Sequence, residues 1–148
     1  MSVTIEAIHH VGLVVKDLPA AERFYVDILG LRRHATRRSW LHLNATSTLH
    51  LIPLADPAAV EPSHHAYRHV ALQVSELKEV LTLLLDHRLR VFQADFHGNE
   101  RDVQAADDPM VFGVGSLFVR DPDGNLIEFL ELGHGIFPNP TSERPGSP

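Results

Sequence analysis

Two nine-residue segments of the chain share one pattern of alternating apolar and polar positions. They read HVGLVVKDL at residues 10–18 and HVALQVSEL at residues 69–77, and five of the nine positions are identical. Alternation with a period of two is typical of a half-buried strand, in which neighbouring side chains point to opposite faces. Apolar residues at helical spacing and then three short strand-like runs follow each copy, so the pattern predicts two βαβββ modules.

The first module is predicted to run from residue 1 to residue 54 and to begin with a strand over residues 5–16. Asp17 stands at an N-cap position with Pro19 in the first turn, and Gly30 suits the left-handed residue that ends a helix. Three short strands are then predicted, over about residues 31–37, 39–45 and 47–54.

The second module, residues 67–136, is predicted to repeat this order. Ser75 is expected to cap a helix over about residues 76–87. Strands are expected over residues 67–74, 90–96, 115–121 and 125–132. Residues 97–110 are a polar insertion that the first module lacks, and two interpretations stay open for it: a lid over a binding site or a polar surface loop.

The remaining segments connect or extend the modules. Residues 55–66 contain prolines and are predicted to be a linker, whereas residues 137–148 are rich in Pro and Ser and are predicted to be a disordered tail. The whole pattern predicts an α+β fold, in which two βαβββ modules form a cupped mixed sheet with the helices on its outer face.

Strand parity decides where the polar side chains of these strands point. In each copy the aliphatic residues must face the helix, because the helix stripe needs an apolar surface to bury against. His10 and His69 then face the open side of the sheet, and His50 and Glu128 in the last strands face it by the same parity. Three imidazoles and one carboxylate thus project from four equivalent positions, a donor set that suits Fe(II), Mn, Co, Ni, Cu or Zn.

Other positions on the open side are candidates for substrate contact or proton transfer. Trp40 and Phe118 are candidate walls for an apolar or aromatic substrate, and Gln73 follows His69 on the same face. His42 is a candidate acid or base, and Glu128 is a candidate base as well as a ligand. A purely structural role is the alternative, since such side chains commonly pack a sheet.

Composition narrows the class of partner. The 148-residue chain has a formal net charge of −6, which argues against a nucleic-acid partner, and it has no cysteine, which excludes disulfides and thiolate metal sites. No apolar run has the length of a membrane span, and the start of the sequence lacks the form of a signal peptide. A cytoplasmic protein with no membrane partner is therefore expected.

Four segments carry a family resemblance: HHVGLVVKDLPAAERFYVDILGLR (9–32), STLHLIPL (47–54), RHVALQVSEL (68–77) and VRDPDGNLIEFLE (119–131). Together they resemble the vicinal oxygen chelate superfamily, the glyoxalase, bleomycin-resistance and extradiol-dioxygenase group. The resemblance implies a small-molecule substrate and a homodimer, with the site within one chain or across the dimer. It also implies one divalent metal ion (Zn, Ni, Fe, Mn or Co). The ligands of this ion would be His10, His50, His69 and Glu128.

His50 departs from the pattern of glyoxalase I, which has a carboxylate at this position, and resembles a small subgroup with histidine there. Three roles stay open for it: a ligand, a group that supports a ligand, or a substrate contact. The reaction implied is that of a lyase or isomerase on a substrate with vicinal oxygens. The alternatives are an extradiol-type dioxygenase, although ring-cleaving relatives usually have longer chains, and a non-catalytic small-molecule binding or resistance protein.

Overall fold

The computed structural model describes residues 7–55, 68–95, 97–110, 112 and 115–134. All but the first residue of the predicted linker 55–66, and the whole predicted tail 137–148, lie outside the described residues. The chain divides into two compact units, Met1–Pro62 with Asp121–Asn125 and Ser63–Arg120 with Leu126–Pro148. Among the described residues, each unit has its own mixed sheet and one helical segment, which confirms the predicted α+β class.

The first unit contains a four-stranded sheet in the order β1-β4-β3-β2. Its strands β1 and β4 pair in parallel and the other pairs are antiparallel. The predicted strand over residues 31–37 shrinks to two residues, because a local turn follows in which the Thr36 amide donates to His34 Nδ1 (3.3 Å). The bounds are β1 His10–Val15, β2 Arg32–Arg33, β3 Trp40–His42 and β4 Thr48–Pro53.

One face of this sheet is apolar and covered by the helical segment. Leu49 and Leu51 of β4 are buried there, in register with the half-buried Val11 and Leu13 of β1. Arg33 points to the same face and forms an ion pair with Glu22 of the helical segment at 3.3 Å. The opposite face, called the open face of the first sheet, carries the alternate residues of β1, β3 and β4.

The helical segment begins as predicted and then widens. The Asp17 carboxylate caps α1 (Leu18–Glu22) by accepting the Ala20 amide at 3.0 Å. Over Arg23–Ile28 the backbone continues in π-helical turns, in which the Leu29 amide donates to the carbonyl of Phe24, five residues back. Gly30, at φ +75°, ends the segment in the left-handed conformation that the sequence predicts.

A buried polar pair fixes this segment within the first unit. The Tyr25 hydroxyl donates to Asp121 Oδ2 at 2.9 Å, and both side chains are buried. Asp121 also accepts the backbone amides of Asp123 and Asn125, and the Asn125 side-chain amide donates to Oδ2 and to the Val14 carbonyl. Burial raises the pKa of Asp121, and these hydrogen bonds oppose the rise.

The second unit contains a five-stranded sheet in the order β5-β9-β8-β6-β7. Its strands β5 and β9 pair in parallel, in register from His69 opposite Leu126 to Val74 opposite Glu131, and the remaining pairs are antiparallel. The bounds are β5 His69–Val74, β6 Val91–Ala94, β7 Glu100–Val103, β8 Ser116–Arg120 and β9 Leu126–Glu131.

The second helix, α2 (Leu77–Asp86), is capped differently from the prediction. Its N-cap is Glu76, not Ser75, and the Glu76 side chain makes no capping hydrogen bond. The Glu131 carboxylate of β9 instead accepts the Leu77 amide at 2.6 Å, and a negative charge at this place is favourable because the first amides of a helix have no partner within it. α2 therefore covers the sheet face to which Glu131 points. Neither described helix is long and apolar enough to cross a membrane.

Four residues of the polar insertion form an edge strand of the second sheet. Glu100–Val103 is β7, which pairs antiparallel with β6. Beyond it, the Asp108 carboxylate accepts the amides of Gln104 and Ala105 and closes a turn. The sequence left two interpretations open for residues 97–110, a lid and a polar surface loop. Neither describes β7, because this segment is a strand of the second sheet.

Candidate functional site

The open face of the first sheet carries a contiguous group of imidazole and indole rings. Trp40 of β3 stacks on His50 of β4, with ring centroids 4.2 Å apart and planes 14° apart. The same indole lies 4.9 Å from the ring of His10 of β1 at a tilt of 59°. His9 and His10 approach through their Nδ1 atoms at 3.0 Å, so one of the two must carry the proton there. If it is His10, its Nε2 is the nitrogen with a free lone pair.

His42 lies at the other end of this group. It is opposite Thr48 in the register, and Thr48 is in turn opposite His10, so these residues share the open face. The ring of His42 stacks on that of His34, with centroids 5.5 Å apart. The buried hydroxyl of Thr48 has no hydrogen-bond partner among the described residues, which leaves a polar group between two imidazole-bearing strands.

The open face of the second sheet holds a close histidine–carboxylate pair. His69 Nε2 of β5 lies 2.9 Å from Glu128 Oε2 of β9. Glu128 is only 8% exposed, so its carboxylate is largely removed from water. Burying a carboxylate is costly unless a charge, a hydrogen bond or a metal compensates it, and the His69 imidazole supplies one such contact.

The aromatic ring of Phe118 borders this pair. Phe118 of β8 is opposite Glu128 in the register and meets the ring of His69 edge-on at 6.0 Å. Its other neighbour is Phe92 of β6, which stacks on it at 5.8 Å, and both rings belong to a buried apolar cluster with Ala94 and Leu126. Gln73 lies on the same face, nearer the end of β5, and is exposed.

The predicted metal ligands are thus distributed in two pairs. His10 and His50 belong to the first unit, where Trp40 contacts both rings, and His69 and Glu128 belong to the second. Across the ranges that the structure describes, no group of three or more His, Cys, Asp or Glu side chains is placed to hold a metal ion. The four-ligand set therefore stays a prediction. The donor chemistry of the His69–Glu128 pair, one imidazole nitrogen and one carboxylate oxygen, fits two ligands of a borderline divalent metal.

Four charged residues next to Phe92 were not predicted as site residues. They are Arg90, Glu100, Asp102 and Arg120, and they form a network of ion pairs. Arg120 follows Phe118 by two residues on β8 and therefore shares its face. The two carboxylates come from the insertion, and the alternation of Glu100 and Asp102 in ERDV is the signal that could have indicated a strand facing Arg90.

Two units, each with a mixed sheet and a helical segment, have the architecture expected of a glyoxalase-type chain. A family model of the glyoxalase/bleomycin resistance protein/dioxygenase superfamily matches residues 7–129. The chain belongs to this superfamily. No curated protein matches the sequence.

Solved structures share the fold at low sequence identity. A glyoxalase family protein from Bacillus anthracis is 23% identical with a TM-score of 0.63, over 88% of this chain and 98% of that one. TnmS3, an antibiotic binding protein from Streptomyces sp. CB03234, is 20% identical with a TM-score of 0.58, over 88% and 98%. Lactoylglutathione lyase from Agrobacterium tumefaciens is 20% identical with a TM-score of 0.57, over 86% and 94%. At these identities the likeness shows the fold alone.

Proposed function

We propose that the chain is a metal-dependent enzyme that acts on a small molecule with two neighbouring oxygen atoms, by lyase or isomerase chemistry rather than as an extradiol-type dioxygenase. The observation that carries the proposal is the contact of 2.9 Å between His69 and Glu128. Glu128 is largely buried, and its carboxylate meets an imidazole nitrogen beside the ring of Phe118. One nitrogen and one oxygen donor this close together suit a metal ligand pair.

The matching strands of the first unit supply the other two donors of the proposal. His10 begins β1 as His69 begins β5, and His50 lies on β4 as Glu128 lies on β9. The contact of His10 with His9 favours a defined tautomer, because one proton is shared between the two Nδ1 atoms. The stacking of Trp40 on His50 orients that imidazole, whichever of its three roles it has.

Each proposed site residue has its own role in the reaction. A bound divalent metal would supply Lewis-acid polarisation of two neighbouring substrate oxygens. Glu128 would take a proton from the carbon next to the polarised group, since it is the one proposed ligand with a carboxylate, and Phe118 beside it would exclude water. His42, on the open face of the first sheet, is the second proton-transfer candidate.

Metal analysis tests the proposal directly. The purified chain is expected to contain about one divalent ion, and His69→Ala is expected to lose most of it. His87→Ala is the matched control, because His87 is an exposed residue at the C-terminal end of α2 and should leave the metal content unchanged. Full metal content in the His69 variant would refute the ligand assignment.

A second candidate function is supported by the ring group of the first sheet. Trp40, with His10 and His50 against it, offers an aromatic surface of the kind that binds planar ligands by stacking. One structural relative, TnmS3, is an antibiotic binding protein. A non-catalytic binding or resistance protein would retain no metal, yet it would bind planar aromatic compounds in a calorimetric titration, and Trp40→Leu would weaken that binding.

A further inference from the structure

The ring of His9 contacts the ring of His10, although neighbouring side chains within a strand point to opposite faces. The two Nδ1 atoms are 3.0 Å apart, and the rings meet edge-on with centroids 5.3 Å apart and planes 85° apart. The contact is possible because β1 begins at His10, so His9 lies outside the alternation of the strand. One proton joins the two nitrogens, and one ring donates it while the other accepts it.

The backbone that carries His9 is held against the start of β4. The Thr48 amide donates to the His9 carbonyl at 3.1 Å, and the Ser47 hydroxyl donates to the carbonyl of the preceding residue at 2.8 Å. The indole of Trp40 also contacts the His10 ring, with centroids 4.9 Å apart. The His10 imidazole is therefore in contact with two rings, and its Nδ1 atom is directed at His9.

The second copy of the repeat indicates which of the two rings donates. His69 begins β5 as His10 begins β1, and it approaches Glu128 Oε2 through Nε2 at 2.9 Å. A neutral imidazole carries its proton on one nitrogen and a lone pair on the other. If His10 uses Nε2 in the same way as His69, its proton lies on Nδ1. The His10 Nδ1–H then donates, and the His9 Nδ1 accepts.

We propose that His9 is a positioning residue, which accepts the Nδ1–H of His10 and holds His10 in the tautomer whose Nε2 can bind a divalent metal. An imidazole that binds a metal usually donates its other N–H to a neighbouring acceptor, which orients the ring and raises its basicity. Both histidines are exposed, so water competes for these nitrogens and limits the size of the effect. The inference rests on the proposed function, since it concerns a ligand of the same site.

The first test reads the tautomer of His10 from the ¹⁵N chemical shifts of its ring nitrogens in the full-length protein after treatment with a chelator. At about pH 8.5, where neutral imidazole is the main form, His10 is expected to carry its proton on Nδ1. His9→Phe keeps a ring but has no acceptor, so this preference should be lost. His9→Asn should retain it, because the asparagine side-chain oxygen stands as far along the side chain as the histidine Nδ1.

The second test is a calorimetric titration of the same proteins with Zn²⁺. His9→Phe should weaken zinc binding by roughly three- to ten-fold, at or below the lower end of the range for partners of metal ligands because the pair is exposed. His9→Asn should stay within about two-fold of the wild type, since the acceptor is restored. His87→Phe is the matched control, because it makes the same exchange at an exposed histidine at the C-terminal end of α2.

The two tests separate this inference from the function on which it rests. The tautomer of the wild type needs no metal and no folded variant, and a His10 with its proton on Nε2 would overturn the inference. Equal zinc affinities of the wild type and His9→Phe would also overturn it, yet leave the proposed enzyme standing. A wild-type chain with the expected tautomer but no zinc binding would contradict the proposed enzyme, while the role of His9 in fixing the His10 tautomer would stand.

Discussion

Replacing Tyr25 by Phe removes one hydroxyl from the first unit and should cost more stability than its size suggests. Tyr25 is fully buried, and its hydroxyl donates to Asp121 Oδ2 at 2.9 Å. Burial and the neighbouring Asp121 carboxylate raise the pKa of Tyr25 far above its ordinary value, so the phenol stays protonated and remains a donor. Phe fills the same volume, and the loss is therefore confined to the hydrogen bond.

The magnitude follows from the state of the acceptor. A hydrogen bond to a charged group is worth about 1.5–3 kcal/mol, and one between neutral groups about 0.5–1.5 kcal/mol. In the variant, Asp121 keeps the amides of Asp123 and Asn125 and the Asn125 side chain, but one donor to its buried carboxylate is gone. We expect a loss of about 1.5–3 kcal/mol in the free energy of unfolding at pH 7.

The loss should depend on pH with a defined sign. The pKa of Asp121 is raised in the folded chain, chiefly by burial, so folding favours its protonated form. The free energy of unfolding therefore falls as the pH rises from the unfolded value, about 3.9, through the raised folded value. The Tyr25 hydrogen bond opposes that rise. In the variant the folded pKa is higher still, so the destabilisation should grow with pH from about 0.5–1.5 kcal/mol in acid.

The assay is urea unfolding at several pH values, followed by tryptophan fluorescence. Trp40 is the only tryptophan in the sequence and lies in the first unit, so its signal reports on the unit that contains Tyr25. A double-mutant cycle with Asp121→Asn isolates the energy of the pair from that of each side chain. A destabilisation that is independent of pH, or a coupling energy near zero, would refute this reasoning.

Three further predictions concern the elements that frame the site. Asp17→Ala should destabilise the first unit by about 0.5–2 kcal/mol in urea unfolding, because the Ala20 amide loses its cap. Leu51→Ala should cost about 2–5 kcal/mol in the same assay, since Leu51 is fully buried, and a loss below about 0.5 kcal/mol would mean that the faces of β4 are assigned wrongly. Glu131→Gln should weaken the cap of α2 and speed hydrogen exchange of the Leu77 amide, and unchanged exchange would contradict the carboxylate cap.

Much of the fold could be predicted because its determinants are local. Alternation in the two repeated strands indicated which residues share a face, and the register of β1 with β4 places Leu49 and Leu51 beside the aliphatic residues of β1. Asp17 caps a backbone amide three residues later, and Gly30 adopts a left-handed conformation at the end of the segment. Both effects involve only nearby residues, so the sequence was sufficient to predict where the first helical segment begins and ends.

The features that were missed depend on residues distant in sequence. Ser75 is a good local cap, but Glu131, which the sheet brings to the first turn of α2, takes that role. The strand β7 was hidden in a polar segment, because its stability comes from pairing with β6 and from ion pairs with Arg90 rather than from apolar alternation. The π-helical turns over Arg23–Ile28 have no periodicity of their own that distinguishes them from an α-helix.

The candidate site likewise contains some features that the sequence predicts and others that it does not. Parity was sufficient to put His69 and Glu128 on one face, and the pairing of β5 with β9 brings them into contact. Parity could not indicate that Trp40 would lie against both His10 and His50, because that depends on the rotamer of one large side chain. Nor could it show that Glu100 would reach Arg120 from another strand.

The discontinuity of the first unit has a consequence for its synthesis. The unit consists of Met1–Pro62 and Asp121–Asn125, so a ribosome must add 63 more residues, Ser63 through Asn125, before its last segment exists. At about 5–20 residues per second this takes roughly 3–13 s. During that interval the nascent Tyr25 hydroxyl has no Asp121 to bond. Although the two copies are tandem repeats in sequence, the N-terminal copy can form its Tyr25–Asp121 hydrogen bond only after most of the C-terminal copy has been made.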